Sequence, residues 1–169
     1  MPYRVLTVCT GNICRSPIAE VVLRDRFEAA GLGDRVVVDS AGVSDEEEGN
    51  PIDPRAARVL QEAGYAAPRR RARQANAADL AEDGLLLAMT AQHARRLRTL
   101  AADDDEAGRI RMYRSSDPAA PSLDVADESD LDVRDPWYGG LDDFRSTLEQ
   151  VEAGADRVVE FVREELGRR

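Results

Sequence analysis

The stretch Val5–Pro17 reads VLTVCTGNICRSP and decides the fold of this chain. Its first residues form a short apolar run, which predicts a buried β-strand. A Cys-x5-Arg loop follows from Cys9 to Arg15, and Ser16-Pro17 is typical of the first turn of a helix. This order places a thiol, a ring of backbone N–H groups and a guanidinium around one small volume. Such a volume suits a tetrahedral dianion, and phosphate is its most natural occupant.

Length and composition fit one domain with a core of its own. The chain has 169 residues, of which 43% are hydrophobic, and this is enough for a single buried core. The formal net charge is −10, and all 23 basic residues are arginine. An acidic chain argues against a nucleic-acid partner, since phosphate backbones bind basic surfaces. With no apolar run long enough for a membrane helix and no signal-peptide pattern, we expect a cytoplasmic protein without a membrane partner.

Cysteine and histidine are too scarce for a metal centre or a disulfide framework. The two cysteines, Cys9 and Cys14, lie in one loop, and the only histidine is His93. A structural zinc site needs more such ligands, and a secreted disulfide framework spreads more cysteines along the chain. We therefore expect no metal and no cofactor, and we expect His93 to be an exposed helix residue without a functional role.

Short apolar runs alternate with helical patterns along the chain. The runs are apolar throughout, as expected of strands that are buried on both faces. The predicted strands are Arg4–Val8, Val36–Asp39, Leu85–Met89 and Arg109–Tyr113; the predicted helices are Pro17–Ala30, Asp53–Ala63, Ala91–Leu100 and Leu141–Leu166, the last interrupted near Gly154. The alternation predicts an α/β fold: a single three-layer αβα domain over residues 1–169, with a parallel sheet of about four strands and the phosphate-binding loop after strand 1.

The least regular part of the chain is Ser115–Gly140, which is rich in proline and acidic residues. A loop this long in a compact domain is usually functional or disordered. Within it the stretch LDVAD, which ends at Asp127, is echoed by LDVRD, which ends at Asp135. Only Asp135 is followed by a proline and by the aromatic pair Trp137 and Tyr138.

The residues of the first loop have the chemistry of a thiol nucleophile at a phosphate site. A helix N-terminus and Arg15 both favour the thiolate form of Cys9, and the hydroxyl of Ser16 can donate to that sulfur. A guanidinium holds two oxygens of a phosphoryl group at once, which an ammonium cannot do. Gly11 allows tight curvature, and Asn12 tolerates the left-handed conformation while its amide braces the loop. We interpret the loop as an anion hole for a transferring phosphoryl group; the alternative is that both cysteines are simply buried small residues.

Asp135 is the candidate general acid. Attack by a thiol on a phosphate ester needs a proton donor for the leaving oxygen, and no histidine is placed to serve, so a carboxyl group must. The proline fixes the backbone after Asp135, and Trp137 and Tyr138 can form the walls of a pocket for an aromatic ring. Asp127 is the rival acid, and an acidic turn with aromatic core residues is the purely structural alternative.

Taken together, these segments resemble those of the bacterial-type low-molecular-weight protein tyrosine phosphatases. The resemblance extends over nearly the whole chain and joins two sites that lie far apart in the sequence. The matching motifs are Cys9–Pro17, Asp39–Gly42, Gly49–Ala56, Ala72–Gln74, Asp135–Tyr138 and the terminal helix after Gly139. It implies a phosphatase that hydrolyses phosphotyrosine in proteins, and small aryl phosphates, through a phosphocysteine intermediate and without a cofactor.

The resemblance also implies a role for each site residue. Cys9 is then the nucleophile, Arg15 binds the phosphate, and Asp135 protonates the leaving group and later activates water. Ser40 supports the loop, and Cys14 traps an oxidised Cys9 as a reversible disulfide. The implied substrate-binding residues are Thr10, Gly11, Asn12, Ile13, Cys14, Ser16, Trp137 and Tyr138. The implied partners are proteins that carry phosphotyrosine, a tyrosine kinase among them, and we expect a monomer.

Several positions depart from the family pattern, Ser116 and a longer acid loop among them, and three alternatives stay open. Glu46–Glu48 stands where the family often has an aromatic residue and then a bulky or polar one, so one pocket wall is expected to be acidic and to disfavour acidic peptides. Arg70 stands where a histidine commonly joins the network around Asn12 and Ser40. Related branches dephosphorylate arginine, with threonine in place of Ile13, or reduce arsenate, with additional cysteines. A weakly active phosphate-binding regulatory module is the third alternative.

Overall fold

The sheet at the centre of the molecule has four parallel strands. The structure is a computed structural model, and it describes all of residues 1–169. The strands are β1 (Tyr3–Cys9), β2 (Val36–Gly42), β3 (Gly84–Ala88) and β4 (Ile110–Met112), in the order β2-β1-β3-β4. All neighbouring pairs are parallel, so the carboxyl ends of the strands meet at one edge of the sheet. The predicted strands and the parallel fold are confirmed.

Helices connect the strands and cover both faces of the sheet. They are α1 (Arg15–Ala29), α2 (Pro54–Glu62), α3 (Ala77–Ala81), α4 (Ala91–Arg98), α5 (Asp104–Gly108) and α6 (Leu141–Gly167). The predicted start of α2 is confirmed, because the Asp53 side chain accepts the N–H of Arg55 at 2.8 Å and Pro54 follows the cap. The sequence pattern misses α3 and α5, which are too short to show a helical period. None of the helices is both long and apolar enough to cross a lipid bilayer.

The predicted interruption of α6 near Gly154 is wrong. The helix runs unbroken from Leu141 to Gly167, although a glycine inside a helix costs roughly 1 kcal/mol relative to alanine. The buried ring of Tyr113 packs against Gly154, so that a Cβ at this position would lie 3.2 Å from the ring. The Tyr113 hydroxyl also donates to the Val151 carbonyl oxygen at 2.6 Å. The missing side chain therefore makes room for a ring rather than ending the helix.

Two hydrophobic clusters lie on opposite faces of the sheet. Neighbouring β1 residues belong to different clusters, Val5 to the larger and Leu6 to the smaller, because successive strand side chains point to opposite faces. The larger cluster holds 29 buried residues and joins the sheet to α1, α2 and α6. The smaller holds 12 and joins it to α3 and α4. This is the predicted three-layer arrangement.

The irregular segment Ser115–Gly140 is attached to the sheet near its middle. Leu131 and Val133 are fully buried, in the smaller and the larger cluster respectively. The Val133 N–H donates to the Met89 carbonyl oxygen at 2.8 Å, just beyond the end of β3. The Asp132 carboxylate accepts the N–H of Ala91, the first residue of α4, at 2.7 Å. These contacts bring the second half of the segment to the edge where the carboxyl ends of the strands lie.

Candidate active site

The loop between β1 and α1 depends on the backbone of Asn12. Asn12 is the one residue other than glycine with a positive φ, 61°, and asparagine is among the few residues that tolerate this region. Its side-chain amide donates to the hydroxyl oxygens of Ser16 and Ser40, each at 2.9 Å. Both serines are buried. The loop is therefore held from beneath by hydrogen bonds that replace those of regular secondary structure.

Arg70 also belongs to this support. Its guanidinium donates to the backbone carbonyl oxygen of Asn12 at 2.8 Å and also to the Asn12 side-chain oxygen. On the other side of the network, Ser40 donates to the buried Glu20 carboxylate at 2.8 Å. Burial raises the pKa of Glu20, and the hydrogen bond from Ser40 and the charge of Arg24 oppose that rise.

The Cys9 thiol lies at the end of β1 under the N-terminus of α1. Its sulfur is 2.9 Å from the Ser16 Oγ, and the residue is 2% exposed. Beside it, β2 comes very close to the loop at Gly42, where a Cβ would lie 2.6 Å from the Thr10 carbonyl oxygen. Only glycine fits there without a shift of the loop.

The Arg15 side chain runs from α1 back across the mouth of the loop. One terminal nitrogen donates to the Val133 carbonyl oxygen at 3.0 Å. The other donates to the Thr10 Oγ1 at 3.3 Å and lies 3.4 Å from an Asp135 carboxylate oxygen. Its Nε is buried and has no hydrogen-bond partner in the protein. Since buried donors are almost always paired, this atom is free for an oxygen of a bound oxyanion.

The expectation that His93 is an exposed residue is wrong. His93 is 1% exposed, and its Nε2 lies 2.8 Å from the Thr10 Oγ1, the same oxygen that Arg15 contacts. Burial, and then the charge of Arg15, lower the pKa of His93 to about 3, so the ring is neutral near neutral pH. The signal that could have located it is topological: α4 follows β3, and a helix that follows a parallel strand begins at the edge where ligands bind.

Asp135 lies at the surface above the loop rather than among buried rings. Its side chain is 37% exposed, and its carboxylate accepts the N–H of Trp137 at 3.0 Å, which caps the 3₁₀ turn Pro136–Tyr138. The rings of Trp137 and Tyr138 form an edge-to-face pair with centroids 5.3 Å apart. They are 47% and 86% exposed, so they stand at the rim of the site and not in the core.

A pocket of about 210 Å³ opens between this turn and the loop. Its lining consists of Cys9, Thr10, Gly11, Ile13, Cys14, Arg15, Glu46, Glu47, Asp135, Trp137 and Tyr138. Most of the site residues predicted from the sequence therefore meet in one cavity. Asn12, Ser16 and Ser40 do not line it, because their side chains are buried beneath the loop. The rival acid Asp127 and the exposed Glu48 do not line it either.

Cys14 differs from Cys9 in its surroundings, although both are free and buried. Burial first, and then the negative charge of Asp53, raise the pKa of the Cys14 thiol well above its ordinary value. Cys14 is therefore held as a neutral thiol within the loop. The reversible Cys9–Cys14 disulfide stays a prediction.

Comparison by sequence identifies relatives along the whole chain. Residues 4–168 match the model of the family described as low molecular weight phosphotyrosine protein phosphatase. A low molecular weight protein-tyrosine-phosphatase of Streptomyces coelicolor is 46% identical over 166 residues, which cover 98% of this chain and 97% of the relative. The low molecular weight protein-tyrosine phosphatase A of Mycobacterium tuberculosis is 42% identical over 167 residues, 99% of this chain and 96% of the relative.

Comparison by structure gives the same fold. A protein tyrosine phosphatase of Entamoeba histolytica superimposes with a TM-score of 0.87 at 24% identity, over 96% of this chain and 98% of that one. The YfkJ protein of Bacillus subtilis superimposes with a TM-score of 0.81 at 28% identity, over 98% of this chain and 97% of that one.

Proposed function

This chain belongs to the low molecular weight phosphotyrosine protein phosphatase family, and we propose that it hydrolyses phosphotyrosine in proteins through a phosphocysteine intermediate on Cys9. The observation that carries the proposal is one cavity that holds the Cys9 thiol, the Arg15 guanidinium and the Asp135 carboxyl group. A nucleophile, an anion binder and a proton donor within one pocket are the parts that phosphoryl transfer from an ester requires.

In the first step the thiolate of Cys9 attacks phosphorus. The S–P bond forms while the bond from phosphorus to the phenolic oxygen breaks, and protonated Asp135 gives its proton to that oxygen. Arg15 and the backbone N–H groups of residues 10–15 hold the other phosphoryl oxygens. The orphaned Nε of Arg15 and the positive end of α1 support this placement of the anion.

In the second step a water molecule attacks the phosphocysteine. Asp135, now a carboxylate, takes a proton from that water, the S–P bond breaks, and inorganic phosphate leaves. The thiolate of Cys9 is then the leaving group. The Ser16 hydroxyl at 2.9 Å supports this step, because a hydrogen bond to the sulfur stabilises its negative charge.

The rim of the pocket supports the proposed substrate class. Trp137 and Tyr138 can flank a phenyl ring whose phosphate reaches Cys9, and their exposure lets a peptide chain approach. We therefore propose phosphoproteins that carry phosphotyrosine as substrates, a tyrosine kinase among the candidates. That the protein acts as a monomer is a separate proposal, which the pocket does not address. Arginine dephosphorylation and arsenate reduction are not favoured, because the chain has isoleucine at position 13 and no cysteine beyond Cys9 and Cys14.

The proposal is tested with p-nitrophenyl phosphate and a phosphotyrosine peptide under reducing conditions. We expect Cys9→Ser to abolish turnover and Asp135→Asn to lower kcat for the peptide by roughly 10²- to 10⁴-fold, the usual contribution of a general acid. Asp127→Asn is the matched control, because Asp127 holds the equivalent place in the duplicated sequence but lies outside the pocket. Wild-type turnover at background level would refute the enzyme proposal, and loss of activity in Asp127→Asn alone would refute the assignment of the acid.

A further inference from the structure

The Arg55 side chain joins three parts of the molecule beside the candidate site. At the start of α2 it forms a bidentate ion pair with the Asp53 carboxylate, with N–O distances of 3.0 and 3.1 Å. Its remaining nitrogen donates to the backbone carbonyl oxygens of Trp137 and Gly139, at 3.1 and 3.2 Å. Its guanidinium also stacks 4.5 Å above the ring of Phe144 in the first turn of α6.

The Asp53 end of this arrangement is fixed to the Cys9 loop. The Asp53 N–H donates to the Ile13 carbonyl oxygen at 2.9 Å. Burial alone would raise the pKa of Asp53, but the hydrogen bonds from the Arg55 side chain and backbone lower it below its ordinary value. Asp53 is therefore a stable anion that orients the guanidinium relative to the loop.

The other end of the arrangement holds the segment that carries Asp135. Residues 134–140 form hydrogen bonds among themselves and with α6. Two side chains from elsewhere in the protein, Arg15 and Arg55, make all the other hydrogen bonds and ion pairs of these residues. Of these two, Arg15 binds the phosphate in the proposed mechanism, so that Arg55 is the one left to hold the segment. The Asp135 carboxylate accepts the Trp137 N–H, so its position follows that of the turn whose carbonyl oxygens Arg55 holds.

We infer that Arg55 is a positioning residue for the general acid: it holds the turn Pro136–Tyr138 so that Asp135 stays above the Cys9 loop when substrate occupies Arg15. The inference rests on the proposed function, in which Asp135 donates a proton to the leaving oxygen. Arg55 lies outside the pocket, and it acts on the proton transfer only through the turn. The planar guanidinium of Arg55 contacts two carbonyl oxygens and a carboxylate at once. A lysine ammonium cannot make all of these contacts, so lysine cannot replace Arg55.

The test uses a series of aryl phosphates whose leaving phenols differ in pKa, with the variants Arg55→Ala and Arg55→Lys. A phenol of low pKa leaves as the phenolate without protonation, whereas a phenol of high pKa needs a proton from the general acid. We expect Arg55→Ala to lower kcat/KM, which reports the steps up to release of the phenol, about tenfold or more for phenyl phosphate and by less than about twofold for dinitrophenyl phosphate, as a smaller version of the general-acid effect of Asp135→Asn. Arg55→Lys is expected to resemble Arg55→Ala. Arg58→Ala is the control, since Arg58 lies on the same helix, is 63% exposed and pairs only with Glu62.

Two further measurements separate positioning from a general structural defect. Inhibition by inorganic phosphate should be unchanged in Arg55→Ala, because the Cys9 loop is intact. In the Asp135→Asn background, Arg55→Ala should add no more than about a twofold effect, since residues that act as one unit are not additive. An equal loss of kcat/KM for all leaving groups, weaker phosphate binding, or fully multiplicative effects with Asp135→Asn would overturn the inference. Inactive wild-type protein would instead refute the proposed function itself.

Discussion

At the scale of single residues, the chemistry of the site depends on groups held in unusual surroundings. Asn12 adopts a left-handed backbone and its amide donates to two buried serines. Arg15 is 4% exposed and keeps one nitrogen unpaired. Such positions usually reduce the stability of the fold and are retained at functional sites. The residues that a bound anion would contact are thus held by hydrogen bonds within the protein itself.

The titration of His93 leads to a prediction about stability. Its folded pKa of about 3 lies below the unfolded value of 6.5, so between these two pH values the unfolded chain binds more protons than the folded one. His93 therefore reduces the free energy of unfolding as pH falls from 6.5 toward 3, by up to about 1.4 kcal/mol for each pH unit. We expect His93→Gln to lack this part of the pH dependence in urea unfolding followed by circular dichroism.

The comparison of wild type with His93→Gln isolates this residue. All other titratable groups are shared by the two proteins. They include Glu20, whose raised pKa has the opposite effect on the free energy of unfolding as pH falls. The difference in the free energy of unfolding between them should therefore change steadily below pH 6.5. Parallel stability curves for the two proteins between pH 4 and 7 would contradict the assignment of a buried neutral histidine.

At the scale of elements, the two walls of the pocket have opposite character. The turn Pro136–Tyr138 contributes aromatic rings, whereas the segment after β2 contributes Glu46 and Glu47. Glu47 is held in place, because its carboxylate accepts the Asn50 side-chain amide at 2.7 Å and its Cγ lies 3.0 Å from the position of a Cβ on Gly11. The expected acidic wall is therefore present at Glu46 and Glu47.

This wall predicts a preference among phosphotyrosine peptides. We expect peptides with arginine beside the phosphotyrosine to have a higher kcat/KM than peptides with aspartate there, because the carboxylates attract the first and repel the second. The double variant Glu46→Gln/Glu47→Gln should reduce this preference by about 2- to 10-fold, since exposed charge pairs contribute roughly 0.2–1 kcal/mol each. The preference should also decline with added NaCl.

Glu48→Gln is the matched control for this experiment. It removes the same charge from the neighbouring residue, which is exposed and does not line the pocket. The prediction is wrong if Glu48→Gln changes the preference as much as the double variant does, because bulk net charge would then account for it. It is also wrong if wild type favours the aspartate peptides.

At the scale of the whole molecule, one part of the irregular acidic segment packs into the core and another part faces the solvent. Leu131 is fully buried in the smaller hydrophobic cluster, whereas Val125 is 85% exposed. We expect Leu131→Ala to reduce the free energy of unfolding by about 2–5 kcal/mol, the usual range for a buried leucine. Val125→Ala, in the first copy of the duplicated stretch, should change it by less than about 0.5 kcal/mol.

Chemical denaturation of the two variants measures this difference directly. A small effect of Leu131→Ala would mean that the segment is not part of the cooperative unit, and that Val133 and Asp135 are held by their own contacts alone. A large effect of Val125→Ala would mean that the exposed copy of the duplicated stretch packs against the protein after all.

Most of the fold and much of the site could be predicted from the sequence. The strand, loop and helix of Val5–Pro17 could be recognised because their signals are local: an apolar run, a glycine and an asparagine where the chain curves, and a proline in the first turn. The cap at Asp53 is local in the same sense. The preference for Asp135 over Asp127 came from its immediate neighbours, and in the structure Asp135 lines the pocket while Asp127 does not.

Contacts between distant parts of the chain could be found only in the folded structure. His93 contacts Thr10 across 83 residues, Arg55 contacts Trp137 across 82, and Arg70 contacts Asn12 across 58. His93 and Arg55 lie on helices, and Arg70 lies in the loop between α2 and α3. The residues next to each of them in the sequence do not indicate these partners, and only for Arg70 did the family resemblance point to the network around Asn12. The parallel sheet brings the carboxyl ends of its strands, and the loops that follow them, to one edge. Local chemistry thus predicts the nucleophile and the acid, and packing around that edge decides which residues hold them in position.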